Sequence, residues 1–281
     1  MFAAHQTIFV TAQAPEQLKT EAPVIRPGKF GRYPLGSQEV VLAETSGHDH
    51  RDNRLLAALS PETLAILDRD LRHVSIAQGA VMFEPGWPLD TIYFPQTGLV
   101  SLLILTSAGD ALETTMVGRE GAVGLQGRFG TRFSFTRATA QIGGRFSVIG
   151  ASRFGELVNG DPAVSNLFSG YAEVLLAEAQ QIAACNAVHD GVSRLARCLL
   201  QSADRIGSDQ LALTQETLAE MLGVRRTTVT LLAQSLKEKG LIRYSRGHLV
   251  ITNRKSLEST ACECYHAVHH DRLPMTLGIK L

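Results

Sequence analysis

No cysteine precedes residue 185 in this chain; the four thiols stand at Cys185, Cys198, Cys262 and Cys264. An iron–sulfur centre takes about four thiolate ligands, so none is expected in the part of the chain before them. A charge imbalance is missing too. Lys plus Arg and Asp plus Glu both total 27 in 281 residues, so any surface for nucleic acid must be a local one. Long apolar runs are also lacking: the longest, Leu99 to Leu105, is broken by Ser101 and falls short of the ~20 residues of a spanning helix. The opening MFAAHQTIFVTAQAPEQ has neither a basic leader nor a sustained apolar core, and does not read as a secretory signal. A cytoplasmic protein without a membrane partner is expected. No nucleophile elbow, HExxH, P-loop or dinucleotide fingerprint occurs, so an enzyme is not expected, and His189-Asp190 reads as a helix boundary.

What is present is 44% hydrophobic residues, enough to supply the core of one large domain or two ordinary ones. Residues 1–50 hold scattered Pro and Gly without a sustained period and read as a loosely ordered extension. From Asn53 onward Leu55, Leu56, Leu59, Leu64, Ile66, Leu67 and Leu71 recur at helical spacing, with Ser60-Pro61 as a helix start. Between Val74 and Ile149 the pattern changes to short runs rich in Val, Ile, Thr and Phe. The spacing predicts strands over 74–76, 81–83, 91–94, 99–105, 112–117, 138–142 and 146–149, which together suggest a barrel-like or jelly-roll β domain over 51–160.

After Asp161-Pro162 the period becomes helical. Val164, Phe168, Tyr171, Leu175, Ala179 and Ile182 advance by four, three, four, four and three, close to a heptad seam. A dimerising helix over 161–188 is the reading, followed by a second amphipathic helix bearing Val192, Leu195, Ala196, Leu199 and Leu200.

Residues 189–265 carry the most specific pattern. In LTQETLAEMLG (213–223), Thr214 suits an N-cap, Glu216 suits the positive helix start, Leu218, Met221 and Leu222 form a core face, Ala219 permits close approach and Gly223 relaxes the turn. In VRRTTVTLLAQSLKEKG (224–240), Val229, Leu232, Ala233 and Leu236 make an apolar face opposite Arg226, Thr227, Thr230, Leu231 and Gln234. That outer face suits a major groove: an arginine donates twice to guanine, threonine offers hydroxyl and methyl, and Leu231 suits a thymine methyl. Arg225 and Thr228 lie at its edge, placed for phosphates. LIRYSRGHLVI (241–251) reads as a β-hairpin wing with Arg243, Tyr244, Ser245 and Arg246 at its tip. From Thr214 to Arg254 seven Arg or Lys (225, 226, 237, 239, 243, 246, 254) face three Glu (216, 220, 238), a local basic excess.

The segment 213–251 resembles the winged-helix domain of Crp/Fnr regulators, and ACECY (261–265) resembles the tail of one subgroup. The preceding chain is similar to the family's cyclic-nucleotide-binding-type β-roll, with VGREGAVG (117–124) where the family places its ligand cassette. The likeness spans about 53–265. It implies an α+β architecture of β-roll, long dimerisation helix and winged helix-turn-helix. It implies a homodimer on a pseudo-palindromic double-stranded DNA site, with Arg226, Thr227 and Thr230 at base-reading positions, RNA polymerase as a partner and a small-molecule effector. Arg119, Glu120, Gly121, Arg132, Ser134 and Arg137 are the candidate effector residues. The sequence departs from cyclic-nucleotide binders: their Gly-Glu-Leu turn is here Arg119-Glu120-Gly121, and their Arg-Ser or Arg-Thr pair falls near Ser134-Phe135. A cyclic phosphate without a positioned guanidinium is poorly compensated, so cAMP is not the expected effector. The alternative reading is a cyclic-nucleotide-binding signalling module that docks a protein partner. Cys262 and Cys264, near His266, His269 and His270, have C-x-C rather than C-x2-C spacing and no second pair; a helical tail with reduced thiols and no metal is expected, with residues 266–281 trailing behind.

Overall fold

The computed structural model describes residues 43–44, 49–107, 109–128, 133–245 and 247–267. Among them, β1 (Ala43–Glu44) lies inside the stretch expected to be loose. It pairs antiparallel with the later strand at Arg72–Ile76. Helices α1 (Arg54–Ala57) and α2 (Pro61–Leu67) follow. Asn53 starts the first: its Oδ1 accepts from the amides of Leu55 and Leu56 while its Nδ2 donates to the carbonyls of Pro95 and Gly121, both at 2.8 Å. One buried amide therefore satisfies a helix end and ties it to two loops. Ser60 caps α2 ahead of Pro61, as its sequence predicts.

Strands β2 (Arg72–Ile76), β3 (Val81–Phe83), β4 (Thr91–Pro95), β5 (Leu99–Leu105), β6 (Ala111–Val117), β7 (Arg137–Ile142) and β8 (Gly144–Gly150) form two antiparallel four-stranded sheets, ordered β1-β2-β8-β4 and β3-β7-β5-β6. Their inward residues, among them Val74, Ile76, Ile92, Phe94, Val100, Val117 and Phe146, share one core with helices α3 (Ala151–Asn159) and α4 (Pro162–Val188). Phe154 of α3 and Phe168 of α4 meet edge to face at 4.8 Å between ring centres, next to Phe94 of β4. That geometry suits the ring quadrupoles.

Helix α4 starts where Asp161-Pro162 predicts, with the Asp161 carboxylate accepting from Ala163 and Val164 amides. Its near-heptad seam has a different destination from the one expected. Phe168 and Tyr171 are fully buried, and Val164, Leu175 and Ile182 are buried as well, within the same chain. Gly121 explains part of the fit: a Cβ there would lie 1.9 Å from the Tyr171 hydroxyl, so only glycine lets the β6-to-β7 connection approach the helix. Val164, Phe168, Tyr171 and Leu175 of the seam thus pack into the chain's own β-domain core, and Ile182 is buried beside Arg197 and Cys264.

Helix α5 (Gly191–Ile206), β9 (Gln210–Leu211), α6 (Gln215–Leu222), α7 (Arg226–Glu238), β10 (Ile242–Ser245), β11 (His248–Ile251), α8 (Arg254–Thr260) and α9 (Cys264–Ala267) complete the described chain. Their core of Leu195, Leu199, Leu213, Leu218, Leu222, Val229, Leu236, Leu249 and Leu257 continues into Leu99, Met116 and Ile142 of the second sheet. Two polar ties accompany this apolar contact: Gln78 Nε2 donates to the Ala212 carbonyl at 2.7 Å, and Gln141 Nε2 donates to Glu220 at 3.1 Å.

Candidate nucleic-acid interface

Helix α6 begins at the predicted cap, Thr214 Oγ1 accepting from the Thr217 amide at 3.1 Å. It ends at Gly223, whose φ of +63° is the left-handed conformation that favours glycine. The Val224 amide then reaches back to the Ala219 carbonyl at 3.1 Å, and Arg194 of α5 donates to the carbonyl of Leu222. The turn between α6 and α7 is thereby hydrogen-bonded from both sides. Gly223 meets a second requirement, since a Cβ there would stand 2.7 Å from Leu112 of β6.

Helix α7 divides its surface as its sequence predicts. Val229, Ala233 and Leu236 are buried, Leu232 is half-buried, and Arg225, Arg226, Thr227, Thr230, Leu231 and Gln234 are exposed. Leu231 is 72% exposed, a large apolar side chain held in solvent on an otherwise polar face. Thr228 is half-buried at the edge. Arg225 and Arg226 sit at the helix start, where unpaired amides and the helix dipole already favour an anion. Arg226 Nε leans on Gln215 Oε1 at 3.4 Å, and the Thr230 hydroxyl donates to the Arg226 carbonyl at 3.2 Å.

The hairpin β10–β11 pairs Ile242 with Ile251 and Ser245 with His248. A third strand, β9, adds Leu211 opposite Leu249; two residues before a helix cap carry too little period to announce it. Arg243 and Ser245 are exposed, whereas Tyr244 packs against the domain core and does not join the tip surface expected for it. Arg246 lies outside the described residues.

The candidate effector residues do not converge. Arg137 is spent on Glu84, with Nε 2.9–3.0 Å from both carboxylate oxygens and Nη2 at 2.9 Å. Ser134 closes a local turn with Thr136. Arg119 turns to a separate polar hollow of about 260 Å³ that Arg54, Asp204, Asp209 and Arg254 also line. Arg132 lies outside the described residues.

Glu120 instead enters a buried ion cluster. Its Oε1 accepts from the Gly118 amide at 2.9 Å and from Arg205 Nε at 3.1 Å. Arg205, 4% exposed, also donates to Glu178 of α4 and to the carbonyls of Met116 and Gln201. The cassette turn, the long helix and the first helix of the C-terminal domain therefore share one guanidinium. Sequence reasoning missed Arg205 and Glu178 because on α5 and α4 they look like ordinary surface charges. The nearest signal is the position of Arg205 within a run of small and apolar residues.

The described chain is thus a β-sandwich that passes through a long helix into a winged helix-turn-helix whose second helix presents a polar and cationic face. Residues 193–260 match the Crp-like helix-turn-helix domain. FixK2 from Bradyrhizobium japonicum is similar over 68% of this chain and 98% of its own, with a TM-score of 0.60 and 18% identity. TTHA1359, a CRP/FNR family transcriptional regulator from Thermus thermophilus, is 27% identical over 67% of this chain and 97% of its own, with a TM-score of 0.55. The c-di-GMP responsive global regulator CLP of Xanthomonas campestris is 19% identical over 68% and 99%, with a TM-score of 0.57. No curated protein matches the chain by sequence. The chain has the fold of Crp/Fnr family regulators, with a Crp-like helix-turn-helix domain over residues 193–260.

Proposed function

We propose that the protein binds a pseudo-palindromic promoter site as a homodimer and that its β domain receives the signal that sets this binding. The observation that carries the reading is the exposed face of α7, with two arginines at its positive end and Leu231 in solvent. Arg226, Thr227, Thr230 and Leu231 read base edges; Arg225, Thr228, Arg243 and Arg246 hold phosphates. The second copy meets the outward face of α4. There Leu176, Gln180, Ala183 and Ala187, all exposed, advance by four, three and four, and Leu176 is 60% exposed. Small residues at this spacing let two helices approach closely. The signal, from a small-molecule effector or a protein, enters at the turn of Arg119, Glu120 and Gly121 and reaches α5 through Arg205. RNA polymerase is the partner the bound dimer serves.

Two measurements on the full chain test this. Selection from a random duplex pool should return inverted repeats whose half-site centres lie about one helical turn, roughly 34 Å, apart; recovery of no common motif overturns the DNA reading. Leu176→Glu with Ala183→Glu should give monomers in sedimentation and weaken binding to a two-half-site duplex more than tenfold. Variants that remain dimeric place the interface elsewhere. Charges at Leu175 or Ile182 would test only the intrachain core, since both are buried.

A further inference from the structure

Three cysteines and a histidine meet at the junction between α4 and α5. Cys185 lies in the last turn of α4 and His189 is that helix's C-cap. Cys262 comes from the segment joining α8 to α9, and Cys264 is the first residue of α9. Cys185 Sγ stands 3.5 Å from Cys262 Sγ, and Cys264 Sγ stands 3.6 Å from His189 Nδ1. The four ligand atoms all lie within 4.8 Å of one another. A tetrahedral ion with bonds of about 2.3 Å to sulfur and about 2.0–2.1 Å to nitrogen sets its ligand atoms roughly 3.5–3.8 Å apart. The Cys185–Cys262 and Cys264–His189 separations already have that size, and all four atoms stay within 4.8 Å of one another.

The surroundings fit a metal as well as the ligands do. Glu263 accepts from His189 Nε2 at 3.1 Å, which fixes the proton on that nitrogen and turns the Nδ1 lone pair toward the sulfurs. Gln181 Nε2 donates to Cys264 Sγ at 3.0 Å, a bond that favours a thiolate. Three thiolates and a divalent ion carry one net negative charge. Arg197, 2% exposed, lines the same hollow as Cys185, Gln181 and Cys264, donates through Nη1 to Gln201 and leaves its Nε without a partner. A buried guanidinium without a carboxylate bond is expensive unless an anionic group lies beside it, and a Cys3His metal centre is such a group.

We propose that Cys185, His189, Cys262 and Cys264 bind one thiophilic divalent ion of the zinc class. It clamps the end of the long helix, and the junction that leads into the DNA-binding domain, to the C-terminal segment. The C-x-C spacing that speaks against a metal in the sequence supplies only half of the ligands. The other half comes from 77 residues upstream, across the fold. His266, whose ring packs on Tyr265 at 4.7 Å, takes no part; His269 and His270 lie outside the described residues.

The test uses the full chain purified under reducing conditions. Elemental analysis should find one zinc per chain. Replacement by Co2+ should give tetrahedral ligand-field bands together with thiolate-to-cobalt charge transfer. Cys262→Ser and Cys264→Ser should each abolish that spectrum, whereas Cys198→Ser should retain it, because Cys198 is buried in the neighbouring core and outside the cluster. Should the serine variants fail to fold, Glu263→Gln keeps the test open: the ligands remain, and Co2+ affinity should fall about 10–100-fold with the loss of the histidine's carboxylate partner. A wild-type chain isolated without metal that binds Co2+ no more tightly than Cys185→Ser overturns the proposal. So does a mass two hydrogens light that maps to a Cys185–Cys262 disulfide in protein devoid of zinc.

Discussion

Replacing Arg205 with Met removes a cation bonded to both Glu120 and Glu178, in a place where neither carboxylate reaches water. The side chains of Arg205 and Glu120 are 3% and 4% exposed in their pair, and that of Glu178 is 1% exposed. Breaking a buried pair from one side costs about 3–5 kcal/mol, chiefly the uncompensated charge left behind. Glu120 keeps the Gly118 amide. Against a total stability of about 5–15 kcal/mol for an ordinary domain, that is a large fraction. Urea unfolding followed by circular dichroism should show the loss at pH 7. Adding Glu120→Gln and Glu178→Gln to Arg205→Met should restore at least half of it, because the stranded charges are then gone. Acidification of the single variant should shrink the loss as well. Protonation removes the stranded charges, so the destabilisation is greatest at neutral pH and fades toward about pH 4, where glutamates of the unfolded chain are protonated too. A loss under about 1 kcal/mol, a triple variant no better than the single one, or a loss that does not vary with pH would refute the reasoning.

Glu113 supplies a pH dependence of its own. Burial pushes its carboxyl up to about 7, against the opposing effects of the Ser101 hydroxyl and Arg197. The folded value exceeds the unfolded one, so the stabilisation is complete below about 4.5 and is lost as pH rises through about 7. Wild-type stability should fall by roughly 2–3 kcal/mol between pH 5 and 8 at 1.36 kcal/mol per unit, and Glu113→Gln should flatten that slope; parallel curves would sink the assignment. On DNA, Arg226→Ala should cost about 1–3 kcal/mol on the selected site and relax one position per half-site. Arg225→Ala should weaken all duplexes alike and reduce the salt slope by about one. Equal effects on selected and scrambled duplexes for both variants would mean that α7 docks differently.

The strands from β3 to β7 and the whole helix-turn-helix are legible in the sequence because their signals are local. Alternation, a threonine cap and a glycine at a helix end need only neighbours within a turn or a strand. Destination is another matter. The 164–182 seam announces a buried face but not what buries it, and an intrachain sheet satisfies the same spacing as a second copy. Glu120 reads as a ligand group by position, and only the fold reveals Arg205 behind it, 85 residues further along. Cys262 and Cys264 look incomplete as ligands for the same reason, since Cys185 and His189 are distant in sequence and adjacent in space.

The close approach of Gly223 to Leu112 sets the turn ahead of α7 directly against β6 of the second sheet. Helix α7 runs 13 residues from that turn, about 20 Å at 1.5 Å per residue. A tilt of roughly 5° at that turn carries the far end of the helix nearly 2 Å, but Leu231, eight residues and about 12 Å from the turn, by only about 1 Å. Such a tilt would shift Thr230 and Leu231 by more than the ~0.5 Å spread that separates a good N–H···O hydrogen bond from none, and Arg226, next to the turn, by less.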